Sequence, residues 1–172
     1  MFKFTFTAGL TVLLFFSNCL ARSRGVGLGI IVGDPTGLSG KLWLGNDQAV
    51  DGAVAWNSHG ENLFYLHADY LVHNFELIEV KKGQLPFYYG IGLRAKFQEE
   101  KRGENDDKIG IRVPVGLNYI FERAPIDVFA EVVPLLDLVP DTEFHLNGAI
   151  GVRFFFGQVN TQSGKKHTKR KK

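Results

Sequence analysis

The chain has 172 residues, which is enough for one domain of ordinary size. Its formal net charge of +2 comes from the basic end of the sequence, GKKHTKRKK, because the remaining sequence is mildly acidic. No basic stripe is interleaved with aromatic residues, so the composition argues against a nucleic-acid-binding protein.

Residues 1–21 have the composition of a secretory signal peptide. Lys3 precedes an apolar run over residues 8–16, and we predict cleavage after Ala21. The run is too short to cross a bilayer as a helix, which takes roughly 20 apolar residues. Cleavage would remove Cys19, the single cysteine, and leave a mature chain without disulfides or thiol chemistry. A lipoprotein box at Cys19 is the alternative, although the residues before it fit one poorly.

From residue 22 to residue 157 the sequence alternates apolar and polar residues with a period of two. Many of the alternating segments are long, which suits tilted strands in a membrane better than strands of a soluble sheet. We therefore predict an all-β fold, an eight-stranded antiparallel up-and-down transmembrane β-barrel. The predicted strands are 25–33, 37–44, 49–57, 62–74, 86–98, 108–121, 126–138 and 144–156.

The two faces of the predicted strands differ in size as well as in polarity. One register carries bulky apolar side chains such as Leu28, Ile91 and Ile150, and the other is rich in glycine and alanine between long polar side chains. An eight-stranded barrel has an interior just wide enough for side chains to fill, so the bulky face should point outwards. Aromatic residues near strand ends, Trp56 and Tyr119 among them, match the girdles found at a lipid boundary. A soluble lipocalin-like ligand carrier, with the apolar face inside, is the alternative.

The polar register predicts a network of charged side chains that fills the barrel. Its basic and acidic groups nearly balance, and charges in a narrow interior must be paired. If the fourth and fifth strands pair around VKKG, Asp69 falls near Arg94 and His67 falls near Lys96. The predicted interior residues are His67, Asp69, His73, Arg94, Lys96, Arg112, Glu131, Asp137, His145 and Arg153, with Lys41, Asp51 and Asp127 beside them.

Three kinds of chemistry are weighed against this network. A metal site would need three or four converging ligands, and the basic neighbours of His67 and Asp69 would repel a cation, so we predict no metal and no cofactor. Asp137 should face His145 across the PDTE turn as a second acid–base pair. A serine nucleophile would come from the turn SHGE, residues 58–61, where adjacent side chains point apart, so we predict no catalytic residue.

Two prolines lie inside neighbouring predicted strands, Pro114 in the sixth and Pro134 in the seventh. Proline cannot donate to the ladder, and a closed barrel has no edge strand to hold it. One interpretation is a tolerated bulge. The other is a weakened lateral seam through which lipid reaches the interior, similar to the lateral access of a palmitoyl-transferring barrel.

The last predicted strand ends in GVRFFF, in which Gly151 is followed by Phe154 and Phe156. This end resembles the terminal recognition signal of bacterial outer-membrane barrels, but the chain continues for sixteen residues beyond Phe156. The segments GDPTGLSGKLWLG, LHADYLVHNF, LPFYYGIGLR, VPVGLNYIF and APIDVFAEVVPLLDLVP, with GAIGVRFFF, resemble a family of small OmpA/OmpX-like outer-membrane β-barrel proteins. The resemblance covers nearly all of the mature chain. It implies the fold and the location but no activity, because the family has no established catalytic residues.

The functional expectation is a non-enzymatic, monomeric barrel in the outer membrane of a Gram-negative cell, with both termini periplasmic. Its expected partners are outer-membrane lipid and the barrel-assembly machinery. The basic tail, residues 158–172, is expected to be disordered, with an anionic periplasmic surface as its candidate partner. The enzymatic alternative is a lipid-modifying enzyme that acts on lipid A acyl chains through the proline seam.

Overall fold

A computed structural model describes residues 25–57, 62–99 and 107–156 of the chain. The predicted signal peptide, the SHGE turn and the basic tail lie outside these residues. No helix in the three ranges is long and apolar enough to cross a membrane. The strands in the described ranges are β1 (Val26–Gly33), β2 (Gly37–Trp43), β3 (Gln48–Asn57), β4 (Asn62–Asn74), β5 (Phe87–Glu99), β6 (Lys108–Arg112), β7 (Val115–Ile120), β8 (Ile126–Val139) and β9 (Glu143–Phe156).

The strands form one closed antiparallel ring. Each strand from β1 to β4 pairs with its successor in the chain, and residues 149–156 of β9 return to pair with the whole of β1. β6 and β7 both lie between β5 and β8 and are the two halves of one wall strand. The ring therefore has eight wall strands, and the predicted eight-stranded up-and-down β-barrel is confirmed.

The wall strand that contains β6 and β7 is interrupted at Val113 and Pro114. Beyond its first residues, both halves face β8 in one continuous register, so the interruption involves no slip of the chain. It follows from proline, which has no N–H to give to the ladder. The sequence predicts a single strand over 108–121. The structure corrects this to two short strands, β6 and β7, that follow each other in one position of the barrel wall. The shift in register lies elsewhere, between Ile109 and Gly110.

Side chains alternate between the outside and the inside of the ring. Large apolar side chains point outwards and are exposed on every wall strand, with Leu93 at 63% and Ile150 at 61% of full exposure. The inward-facing side chains include most of the charged residues of the strands, and they are buried. This distribution is the reverse of a soluble protein, in which charged side chains are almost never fully buried unless paired.

The two ends of the barrel differ. We call the end that carries Val26 and Phe156 the closed end, because an apolar cluster fills it. There, Gln84 of the segment between β4 and β5 exchanges backbone hydrogen bonds with Ile120. We call the opposite end, with the β1–β2 and β8–β9 turns, the open end. The cluster of the closed end is formed by Trp43, Ala49 and Phe155, with Phe75 and Ile120 packed against it.

Interior glycines make room for large interior side chains. A Cβ at Gly27 would lie 2.7 Å from the ring of Phe155, and one at Gly116 would lie 2.7 Å from the Tyr88 hydroxyl. A Cβ at Gly92 would collide with the Asp69 carboxylate. The glycine-rich register predicted from the sequence therefore lines the interior, where its missing side chains leave the volume that aromatic and charged side chains occupy.

Candidate functional site

Arg112 is the centre of a polar cluster in the barrel interior. It enters from β6, is 1% exposed, and reaches carboxylates on β4 and on β8, one on either side of its own strand. Its Nε lies 2.9 Å from Asp69 Oδ2 on β4, and its Nη2 donates to Glu131 Oε1 on β8 at 3.2 Å. Its Nη1 donates to the hydroxyl of Tyr65 at 2.9 Å. One guanidinium therefore braces β4 against β8 across the interior.

Arg112 also determines the tautomer of His67. Its Nη1 lies 2.8 Å from His67 Nδ1, and a guanidinium can only donate. Nδ1 must therefore accept, which places the proton of the neutral ring on Nε2. That nitrogen lies 3.8 Å from Asp69 Oδ2. His67 is thus held as a neutral acceptor of an arginine hydrogen bond, with its other nitrogen turned towards a carboxylate.

The partners of His67 and Asp69 differ from those predicted. The sequence predicts Asp69 near Arg94 and His67 near Lys96, but in the structure His67 faces Arg94 and Asp69 faces Gly92. The pairing is not centred on VKKG. It starts instead from Asn74, whose Oδ1 accepts from the next backbone amides and so ends the strand. The correction is a slip of two residues, which keeps each side chain on the same face.

Arg153 forms a second connection across the interior. From β9 its Nη2 donates to Asp51 Oδ2 on β3 at 2.8 Å, and its Nε donates to Ser39 Oγ on β2 at 3.0 Å. Its guanidinium carbon lies 3.8 Å from the ring centroid of Phe129, a cation–π contact. A Cβ at Gly151 would collide with that same ring, so Gly151 makes room for the aromatic partner of Arg153.

Lys41 and His73 connect β2 to β4 above the closed end. Lys41 Nζ donates to His73 Nε2 at 2.8 Å, and His73 Nδ1 lies 3.2 Å from the backbone oxygen of Asp47. Because a backbone carbonyl oxygen can only accept, Nδ1 carries the ring proton and donates to that oxygen, and Nε2 accepts from Lys41. The ammonium also lies 4.6 Å from the ring centroid of Trp43. The polar interior therefore rests directly on the aromatic cluster of the closed end.

A fourth group of polar side chains lies towards the open end. Arg94 of β5 holds the Asp137 carboxylate of β8 through two nitrogens, with its Nε donating to Oδ1 at 2.8 Å. His145 Nε2 lies 3.3 Å from Asp137 Oδ2, but the residue directly opposite Asp137 is Glu143 and not His145, which corrects the predicted pairing. His145 Nε2 also lies 3.4 Å from Glu143 Oε2, and Lys108 Nζ donates to that oxygen at 3.0 Å. Cations therefore already contact both carboxylates of this cluster.

Two sets of side chains have the residue types of a metal site. Asp51, His67 and Asp69 bring ligand atoms within 4.8 Å of one another, and Asp137, Glu143 and His145 do the same at the open end. In the first set each carboxylate is paired with an arginine, and the Nε2 of His67 carries a proton. In the second set an arginine and a lysine take the carboxylates. Neither donor set fits a divalent cation without expelling these cations.

Some interior residues are absent from the sequence prediction. The hydroxyl of Tyr88 donates to Glu131 Oε2 at 2.9 Å, and the hydroxyl of Tyr65 accepts from Arg112. Trp43 and Phe129 provide the aromatic faces for Lys41 and Arg153. The period-two alternation places both tyrosines on the inward face, which was the available signal. Lys96, which is among the predicted residues, is half-buried near the open end and faces Tyr65.

The two prolines each remove one hydrogen bond, but from different seams. The amide of Gly90 on β5 donates to Pro114 O at 2.9 Å, and the amide of Val113 donates to Pro134 O at 2.9 Å. Residues paired in this way normally exchange two hydrogen bonds, and proline cannot return the second. Pro114 therefore weakens the seam between its own wall strand, which contains β6 and β7, and β5. Pro134, on β8, weakens the seam between β8 and that same wall strand. The sequence places both in one seam, and the structure corrects this point.

The last strand closes the ring with its aromatic end. Phe156 faces Val26 and Phe154 faces Leu28 on β1. Both phenylalanine rings lie on the outer face, with their centroids 5.1 Å apart in an edge-to-face arrangement.

No family model matches the chain, and no curated protein matches it. The crystal structure of the N-terminal β-barrel domain of Pseudomonas aeruginosa OprF is similar to the chain in fold, with a TM-score of 0.52 and 17% sequence identity. The similarity covers 76% of this chain and 95% of that chain. At this identity the likeness shows the barrel fold and nothing about activity.

Proposed function

We propose that the protein is an integral outer-membrane β-barrel with a structural, non-enzymatic role and a filled polar interior. The observation that carries the proposal is the inverted distribution of polarity, with apolar side chains exposed on every wall strand and charged side chains buried inside. Soluble monomers rarely expose a contiguous apolar patch of more than about 600 Å². A continuous apolar outer wall is stable in hydrocarbon, where a closed barrel also satisfies the backbone polar groups.

The inverted distribution also separates this proposal from the lipocalin-like carrier. A soluble carrier of that type would turn its apolar face inwards to hold a ligand and its charged face outwards to water. Here Arg112, Asp69 and Arg153 lie inside, and Leu93 and Ile150 lie outside. Reversing the faces would need a one-residue slip of every strand, so the pairing around the ring supports the outward apolar face.

The filled interior supports the proposal that the barrel does not conduct ions. Arg112 spans from β4 to β8, Arg153 reaches β2 and β3, and Lys41 reaches β4, so that ion pairs and hydrogen bonds cross the barrel at several levels. An eight-stranded barrel has little interior space beyond its side chains. The apolar cluster of Trp43 and Phe155 then seals one end.

The lipid-modifying alternative rests on the two prolines. Each of their seams keeps the hydrogen bond that the partner strand donates, and the two lost bonds lie in different seams, on either side of the wall strand that contains β6 and β7. The geometry therefore gives no single opening of adjacent broken bonds. Mass spectrometry of lipid A from cells with and without the protein tests the alternative directly. We expect identical lipid A, and a new or missing acyl chain would support the enzyme.

The location and topology follow from the same proposal. The first and last strands pair with each other, so the barrel begins and ends at its closed end, which we place on the periplasmic side. The outward rings of Phe154 and Phe156 are available to the barrel-assembly machinery. The proposed barrel is monomeric, because the ring closes within one chain, and the basic tail follows it into the periplasm.

Membrane fractionation with a heat-modifiability gel tests the proposal. The unheated protein is expected in the outer-membrane fraction and should migrate as a compact barrel, and boiling should shift it to the position of an unfolded chain. Extraction with detergent but not with carbonate or salt separates an integral protein from an adsorbed one. Recovery in the soluble periplasmic fraction without detergent would refute the membrane assignment.

A further inference from the structure

The open end holds a cavity of about 480 Å³, which is the size of a small-molecule site. It is lined by the β1–β2 turn and by side chains from β3, β4, β5, β6 and β9, so it lies along the barrel axis rather than on the outer wall. The connections that Arg112, Arg153 and Lys41 make across the interior do not require this space. The charged and amide-bearing side chains of the cavity wall are Asp34, Arg94, Lys96, Lys108, His145 and Asn147.

The charges on the cavity wall are mainly basic. Arg94, Lys96 and Lys108 line the cavity together with His145, against the one lining carboxylate of Asp34. Asp34 is exposed, so water screens its charge. Arg94 is neutralised by Asp137, and Lys108 shares Glu143 with His145. Lys96 makes no ion pair within residues 25–57, 62–99 and 107–156, and it supplies the uncompensated positive charge.

The register of β5 and β6 points to the missing partner. Lys96 and Lys108 face each other directly across these two strands. Like charges at directly opposed positions destabilise a sheet, and these two both line the cavity. Glu143 already contacts Lys108, so an anion beside Lys96 supplies the counter-charge that this side of the pair lacks. Asn147, which is 8% exposed, adds an unused donor at the wall, because its Nδ2 has no hydrogen-bond partner among the described residues.

We propose that this cavity binds a phosphoryl group at the wall formed by Lys96 and Lys108. The unused hydrogen-bonding capacity of the wall is mainly that of donors, so the ligand must bring acceptors. A phosphoryl group offers three terminal oxygens and up to two charges, which suits the ammonium of Lys96, unpaired among the described residues, and the unused Nδ2 of Asn147. The ammonium of Lys108, already held by Glu143, lies beside them. The phosphoryl group belongs either to a small soluble molecule or to a lipid headgroup, and the experiment distinguishes the two.

The test uses the full chain, without its signal peptide, folded in a maltoside detergent that contains no phosphate. Inorganic pyrophosphate is titrated in by isothermal calorimetry, with malonate as a dicarboxylate comparison. We expect pyrophosphate to bind at one site and at least tenfold more tightly than malonate. Lys96→Met should weaken pyrophosphate binding at least tenfold. Lys81→Met, which removes the same charge from the β4–β5 segment at the opposite end, should change it less than twofold.

Each outcome of the test bears on the proposal. Lys96→Gln serves as a second variant, and the heat-modifiable band shows that each variant is folded. Phosphatidic acid in mixed micelles that displaces pyrophosphate identifies a lipid headgroup as the source, and failure to displace it identifies a soluble ligand. The proposal is overturned if the folded wild type does not bind pyrophosphate, if malonate binds equally well, or if the Lys96 and Lys81 variants lose affinity alike.

Discussion

Arg112 is the residue whose removal most directly tests the filled interior. Arg112→Met keeps most of the side-chain length but removes the positive charge that lies between Asp69 and Glu131. Breaking a buried ion pair by deleting one partner costs about 3–5 kcal/mol, because the other charge stays buried without compensation. Here two carboxylates lose their partner at once, and Tyr65 and His67 each lose a donor. We therefore expect a loss at the upper end of that range.

The structure also ranks two further variants. Asp69→Ala leaves Arg112 paired with Glu131, so we expect a smaller loss of about 1–3 kcal/mol, the cost of a buried group with fewer partners. Asp47→Ala alters an exposed turn residue whose backbone oxygen, not its side chain, contacts His73. That change should fall within about 0.5 kcal/mol of the wild type. The expected order of destabilisation is thus Arg112→Met, then Asp69→Ala, then Asp47→Ala.

The assay is urea unfolding of the protein refolded in maltoside micelles. Tryptophan fluorescence, from Trp43 buried at the closed end and Trp56 exposed on the outer face, and loss of the heat-modifiable band provide two independent signals. With a urea dependence of about 2 kcal/mol/M, a loss of about 4 kcal/mol lowers the midpoint by about 2 M. Adding Asp69→Asn and Glu131→Gln to Arg112→Met should recover part of the loss, because neutral amides replace the uncompensated charges. Equal midpoints for Arg112→Met and Asp47→Ala would show that water solvates the interior carboxylates, and the filled interior would be wrong.

Three further predictions concern packing, conduction and the tail. Gly27→Ala, whose Cβ would lie 2.7 Å from the Phe155 ring, should cost about 1–3 kcal/mol in urea, whereas Gly40→Ala, whose nearest neighbour would be 3.6 Å away, should be nearly neutral; equal effects would contradict the interior packing. Planar bilayers containing the protein should show no large, stable single-channel steps, and such steps would mean an open path past the closed end. Deletion after Gly157 should leave the heat-modifiable form intact, since β9 ends at Phe156; a truncated protein without that form would assign the tail to the fold.

The architecture follows from the sequence because strand periodicity is a local property. Alternation over 62–74 predicts one inward face, and the structure places His67, Asp69 and His73 of that face inside the barrel. Glycine in the inward register and bulky residues in the outward register indicate a narrow barrel before any pairing is known. Pro114 is visible in the sequence as well, but its effect, the division of one wall strand, depends on a ladder that only the neighbouring strands define.

The contacts inside the barrel could not be predicted in the same way. A slip of two residues between β4 and β5 preserves both faces and leaves the apolar pattern unchanged, yet it places Arg94 opposite His67 and Gly92 opposite Asp69. The partner of Asp69 is Arg112, which extends from a strand that does not pair with β4 at all. Such contacts depend on side-chain length and on the stagger of the ring. A period-two pattern contains neither quantity.

The position of the contacts across the interior limits where this barrel can bind a ligand. The closed end is sealed by aromatic side chains, and the middle is crossed by Arg112 and Arg153, whose hydrogen bonds link strands around the ring. A ligand that entered the middle of the interior would have to break buried ion pairs. Each broken pair costs about 3–5 kcal/mol, a large part of the stability of a small domain. A ligand that enters the barrel is therefore confined to the open end, where Lys96 has no opposite charge among the described residues and the structure already leaves space. Any other partner must act from outside, through the apolar wall or through the turns.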